Sequence, residues 1–165
     1  MIFAFNAAEV FKIAVGIEEN GRKFYEKCQE LTSDPELREL FSDLASQEVE
    51  HKKKFEALRA ALPREASSPV VWDPDNELDQ YIKMMADQHV FVAPEGGLDA
   101  TLAQIKDVKE ALKLAMDFEK DSVIFFLTLQ DATAGEKGRE LISILIKEEQ
   151  EHLRRLAMQL KRLKK

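Results

Sequence analysis

The chain has 165 residues, 45% hydrophobic and 33% charged, which is enough for one domain with a real core. Its six glycines and five prolines disfavour an all-β fold rich in tight turns, and a net charge of −7 excludes the electrostatic footprint of a nucleic-acid binder. The single cysteine, Cys28, excludes an intrachain disulfide and any four-cysteine zinc or iron site made by this chain alone.

The first predicted helix opens with Asn6-Ala-Ala-Glu9, a capping-box pattern, and runs to about Leu31. Asp34 can cap the second, with Pro35 in the first helical position, and that helix runs to about Leu62. Residues 63–107 form a different stretch, with Pro63, Pro69, Pro74, the lone Trp72, a weak helical pattern near 76–90 and the breaker PEGG at 94–97. A further capping box, Asp107-Val-Lys-Glu110, opens the third long helix, which ends near Ala132. Gly135 marks a turn, and the fourth helix fills most of 136–164. Short joints make each pair an antiparallel hairpin, 7–62 and 108–164, within a single domain spanning 1–165. The expected fold is therefore all-α, a four-helix bundle of two hairpins with one long crossover. No apolar run reaches membrane-spanning length, and the opening MIFAFNAAEV lacks a basic start and a cleavage pattern, so no membrane partner and a cytoplasmic location are expected.

A shift of 101 residues brings 9–62 onto 110–163 without a gap. Among the coincidences are Ala14/Ala115, Glu18/Glu119, Phe24/Phe125, Leu44/Leu145, Glu48/Glu149 and His51/His152. Shared amphipathicity explains some of these, but not a shared glutamate and a shared Glu-x-x-His.

Helical rotation of about 100° per residue decides which acids point inward. Glu18 lies on the flank of the face made by Val10, Ala14, Ile17, Gly21, Phe24 and Cys28, in line with Phe11 and Tyr25, whereas Glu19 lies outside. Glu48 and His51 fall within the face of Leu37, Leu40, Phe41, Leu44, Phe55 and Leu62, with Glu50 opposite. Val108, Leu112, Ala115 and Phe126 bracket Glu119. Leu141, Leu145, Leu153, Leu156, Leu160 and Leu163 bracket Glu149 and His152, with Glu151 outside.

A lone Glu-x-x-His on a charged helix is usually a solvated pair. Two copies in register with two further inward glutamates are different, because four unpaired buried carboxylates would rival a domain's whole stability of roughly 5–15 kcal/mol. Two divalent ions would neutralise four carboxylates, with a neutral imidazole completing each position. Mixed oxygen and nitrogen donors suit iron or manganese; calcium rarely uses histidine, and structural zinc more often uses cysteine. One Glu from each of two helices and a Glu-x-x-His from each of the other two is the pattern of di-iron and di-manganese carboxylate bundles. Tyr25, seven residues after Glu18, is a candidate hydrogen-bond donor behind the ligands, and its repeat partner is Phe126. Cys28 reads as a small core residue, and His89, outside the repeat, as a packing or surface histidine.

AVGIEENGRKFY (14–25), EVEH (48–51), AMDFEKDSVIFF (115–126) and EQEH (149–152) resemble the ferritin-like di-iron domain of the rubrerythrins. The resemblance implies metal ligands Glu18, Glu48, His51, Glu119, Glu149 and His152, with Glu48 and Glu149 bridging. It also implies two iron ions, replaceable by manganese or zinc, that react with hydrogen peroxide or oxygen in a homodimeric protein. The alternative within the same fold is a ferroxidase that handles iron. Two departures stand out. The family's four-cysteine rubredoxin domain is missing from this chain, so electrons would come from an external donor such as a rubredoxin. The family's second glutamate, one turn after the third-helix ligand, is Ser122 here.

Overall fold

A computed structural model describes residues 7–61, 77, 80, 81, 84, 97–133 and 136–164. Among these the secondary structure is entirely helical: α1 (Ala7–Glu30), α2 (Pro35–Ala60), α3 (Gly97–Gln104), α4 (Val108–Ala132) and α5 (Glu136–Arg162). Asn6, Leu62, Trp72, His89, Gly135 and the prolines of the crossover lie outside the described residues. No helix among the described residues is long and apolar enough to cross a membrane.

The helix starts follow their caps. Asp34 accepts from the amides of Glu36 and Leu37, and Pro35 occupies the first helical position, where its missing N–H costs nothing. Asp107 accepts in the same way from Lys109 and Glu110. The reciprocal bond of the expected box is displaced by one residue: the Glu110 carboxylate accepts from the amide of Lys106, not from that of Asp107.

α1 packs along α2, and α4 along α5, giving the two hairpins; smaller contacts of α1 with α4 and of α2 with α5 bring the hairpins face to face. The core repeats one design on each of the four long helices. The inward glutamate has a buried apolar residue seven positions before and seven after: Phe11 and Tyr25, Phe41 and Phe55, Leu112 and Phe126, Ile142 and Leu156. Seven residues are close to two helical turns, so these side chains stack above and below the glutamate layer. On one side Phe55 meets Phe11 at 6.3 Å between ring centroids and Phe126 at 4.8 Å. On the other, Tyr25 stacks on Phe41 at 6.2 Å and meets Phe118 edge-on at 6.1 Å. Aromatic pairs at such separations add stability beyond the area they bury.

Two sequence expectations need correction. Leu141, Leu153, Leu160 and Leu163 are only half-buried, and Ile142 and Ile146 take the covered positions beside Leu145 and Leu156. The apolar arc of α5 is wide, and packing against the neighbouring helices selects one edge of it. For the same reason Val108 lies at the core's margin. The weak helical pattern near 76–90 is met at Glu77, Gln80, Tyr81 and Met84, which are helical, whereas α3, starting at the last glycine of PEGG, was not expected. Leu98 and Leu102 of α3, with Ile105 after it, pack against the core.

Candidate metal centre

Six polar side chains meet between the two aromatic layers. Glu18, Glu48, His51, Glu119, Glu149 and His152 are each no more than 1% exposed. They form two overlapping clusters, Glu18–Glu48–His51–Glu149 and Glu48–Glu119–Glu149–His152, in each of which the donor atoms lie within 4.8 Å of one another. That spread fits donors arranged about one ion at the ordinary 2.0–2.2 Å of an oxygen or nitrogen ligand.

Glu48 and Glu149 belong to both clusters, and each turns one oxygen to each histidine. Glu149 Oε1 lies 2.8 Å from His51 Nδ1, and its Oε2 lies 3.0 Å from His152 Nδ1. Glu48 Oε2 is 3.6 Å from His51 Nδ1, and its Oε1 is 3.8 Å from His152 Nδ1. The remaining acids are one-sided: Glu18 Oε2 is 3.4 Å from His51 Nδ1, and Glu119 Oε1 is 3.4 Å from His152 Nδ1. The two imidazoles are nearly parallel, 11° apart with centroids at 5.5 Å. Such an arrangement could hold two adjacent ions, with Glu48 and Glu149 common to both clusters and one further glutamate and one histidine in each.

The chemistry of the donor set supports the same conclusion. Among the described residues, every buried side-chain oxygen or nitrogen without a hydrogen-bond partner belongs to these six residues: both oxygens of Glu18, Glu48 and Glu149, Glu119 Oε2, and Nδ1 of both histidines. Even the 2.8 Å approach of His51 to Glu149 is not aligned as a hydrogen bond. Buried donors gathered this closely without hydrogen bonds to one another are what a cation requires. Without one, each buried ion carries a cost of several kcal/mol.

The other atoms of the site are partnered, and they fix how the donors face. The Tyr25 hydroxyl, fully buried, donates to Glu119 Oε1. Burial, then the charge of Glu119, holds this phenol well above its ordinary value, so it remains a donor. Each histidine turns Nε2 outward onto the residue that precedes the other motif's glutamate: His51 onto Glu148 and His152 onto Gln47. Gly21 lets α1 and α4 approach; a Cβ there would lie 2.6 Å from Phe118 Cζ and 3.3 Å from Glu48 Cδ. Its repeat partner, Ser122, is buried on α4.

In the metal-free state protons must do the neutralising. Burial, then the charges of Glu149 and Glu18, pushes Glu48 well up; burial and Glu149 push Glu119 up to about 8. Burial opposes charge on the histidines, but Glu119 and Glu149 raise His152 to about 10, and Glu149 drives His51 upward too. Burial also acts to raise Glu149, but the adjoining histidines pull it well below the ordinary carboxylate range. Groups with raised values contribute stability that is complete below their unfolded values and is lost as pH rises through the folded ones. For Glu119 the window runs from 4.5 to about 8, and for His152 from 6.5 to about 10. The metal-free protein should therefore lose melting temperature as pH rises from 4.5 to about 10. Metal displaces these protons, so the gap between loaded and metal-free melting temperatures should widen over the same range. Paired melts across that range check this; a constant or narrowing gap would contradict it.

All six inward residues expected from the sequence are thus brought together, as is Tyr25, although Tyr25 reaches Glu119 of the opposite hairpin and not Glu18 of its own helix. Cys28 is buried, and burial raises its thiol far above the ordinary value, in keeping with a packing role. Glu148 was not anticipated as part of the site. Its signal is its position: Gln47 and Glu148 are related by the 101-residue shift, each just before a Glu-x-x-His.

A sequence profile of the rubrerythrin family matches residues 9–160. Among solved structures, a Thermotoga maritima protein assigned as a ferritin-like diiron-carboxylate protein aligns with a TM-score of 0.73 at 23% identity, covering 96% of each chain. At that identity the likeness concerns the fold, which is ferritin-like. No curated protein sequence matches significantly.

Proposed function

Given that the chain belongs to the rubrerythrin family, we propose that it is a di-iron oxidoreductase that reduces hydrogen peroxide or oxygen with electrons from an external donor protein. The observation that carries this reading is the convergence of unpartnered buried donors on two adjacent points. Glu18 and His51 would hold one iron, Glu119 and His152 the other, and Glu48 and Glu149 would span both. Two ferrous ions held there would supply the two electrons that, with two protons, convert one hydrogen peroxide into two waters.

The chain's own residues do the rest. The Phe11–Phe55–Phe126 and Tyr25–Phe41–Phe118 groups close the glutamate layer above and below, which limits water and strengthens the electrostatics inside. Tyr25 holds Glu119 through Oε1, the oxygen that also faces His152, and leaves Oε2 buried without a hydrogen-bond partner. The outward Nε2 contacts hold both imidazoles with Nδ1 inward. The electron donor in this reading is a protein with a four-cysteine iron site such as a rubredoxin; Cys28 is the one cysteine of these 165 residues.

Protein loaded with ferrous iron under anaerobic conditions should be oxidised by hydrogen peroxide at one peroxide per two irons, then be re-reduced by reduced rubredoxin over many cycles with its iron retained. Oxidation of added Fe(II) well beyond two per chain, with ferric product accumulating, would instead identify a ferroxidase that handles iron.

A further inference from the structure

The two halves of the cluster match in their inner donors but differ one contact further out. His51 Nε2 lies 3.0 Å from Glu148 Oε2, and the same oxygen accepts from Lys54 Nζ at 2.9 Å. His152 Nε2 lies 2.9 Å from Gln47 Oε1. The Gln47 amide donates to Asp43 Oδ2 at 3.0 Å, and Asp43 pairs with Arg155 at 2.7 Å. Because its NH₂ is directed to Asp43, Gln47 presents its carbonyl oxygen to the imidazole.

The 101-residue shift relates Gln47 to Glu148 and Lys54 to Arg155, so the two relays occupy equivalent places. They differ in charge where it matters most. A carboxylate touches His51, whereas a neutral amide touches His152, and the acid on that side, Asp43, is one residue further away. Both acceptors place the proton on Nε2 and leave Nδ1 for a metal. Only the carboxylate also increases the imidazole's donor strength substantially.

We propose that Glu148 and Gln47 are positioning residues that make the two metal positions unequal, with the Glu18–His51 position binding the more tightly and favouring the higher metal charge. This rests on reading the cluster as a two-metal centre. The inequality gives loading a defined order, and it gives a bound oxidant two different ions to face.

The test is calorimetric titration of the metal-free full-length chain with Mn(II) at fixed pH. Two separated steps are expected for the unmodified protein. Glu148→Gln should weaken the tighter step by about 10–100-fold and bring the steps together. Gln47→Glu should also bring them together, but by strengthening the weaker step. Opposite shifts from two near-isosteric changes are not what a merely structural role produces, and metal-free melting temperatures identify any loss of fold. Two equal steps in the unmodified protein, or two steps that neither variant moves, would overturn the proposal while leaving the two-metal reading intact. No Mn(II) binding at all would overturn that reading and the proposal with it.

Discussion

Glu149→Ala should reduce the bound metal from two ions per chain to none, whereas Glu18→Ala should leave one. The difference follows from geometry. Glu149 sends Oε1 toward one histidine and Oε2 toward the other, so its loss removes a donor from both clusters. Glu18 belongs to one cluster only, and its loss leaves Glu48, Glu119, Glu149 and His152 around the second position. Deleting Glu149 also leaves two buried, proton-binding histidines without their closest anion, a change that costs about 3–5 kcal/mol in comparable buried pairs. Glu149→Gln keeps the volume and one acceptor oxygen, so it separates loss of metal from loss of fold. Metal per chain after desalting, with far-ultraviolet circular dichroism as the fold control, reads the result. Equal loss from Glu149→Gln and Glu18→Ala would refute the bridging arrangement.

Stripping the metal should cost the protein much of its thermal stability. A ligand that binds only the folded state stabilises it by about 4 kcal/mol when present at a thousand times its dissociation constant, so two such sites give roughly 8 kcal/mol. A chain of this size changes its melting temperature by roughly 2–4 °C per kcal/mol, which makes the expected drop about 15–30 °C. Most of that drop should vanish in a variant with Glu18, Glu48, Glu119 and Glu149 all replaced by Gln, where no carboxylate charge remains to neutralise. Calorimetric melts with and without chelator measure both. A melting temperature indifferent to chelation, in protein shown to be loaded at the outset, would contradict the account.

Much of the site was legible because helix geometry is rigid. A rotation of 100° per residue is enough to place Glu18 inside and Glu19 outside, or Glu48 inside and Glu50 outside, and burial in the structure agrees. The repeat then aligned the two halves in depth, since a shift without a gap preserves the rise along the axis. What could not be read were contacts set by how one helix is rotated against another. Tyr25 shares a flank with Glu18, but its hydroxyl crosses to Glu119, because the long phenol reaches between hairpins. His51 and His152 face Glu148 and Gln47 for the same reason, since those pairs form between α2 and α5. The covered edge of α5, Ile142 and Ile146, depended on the neighbour it packs against. α3 was hidden because eight residues beginning at a glycine carry little periodic signal.

The most direct test of the central claim is elemental analysis of the protein purified without added metal or chelator from cells grown with sufficient iron. The account predicts two irons per chain, lost together in Glu149→Ala. Protein that emerges folded and metal-free, and that takes up no iron when ferrous ion is supplied anaerobically, would contradict it.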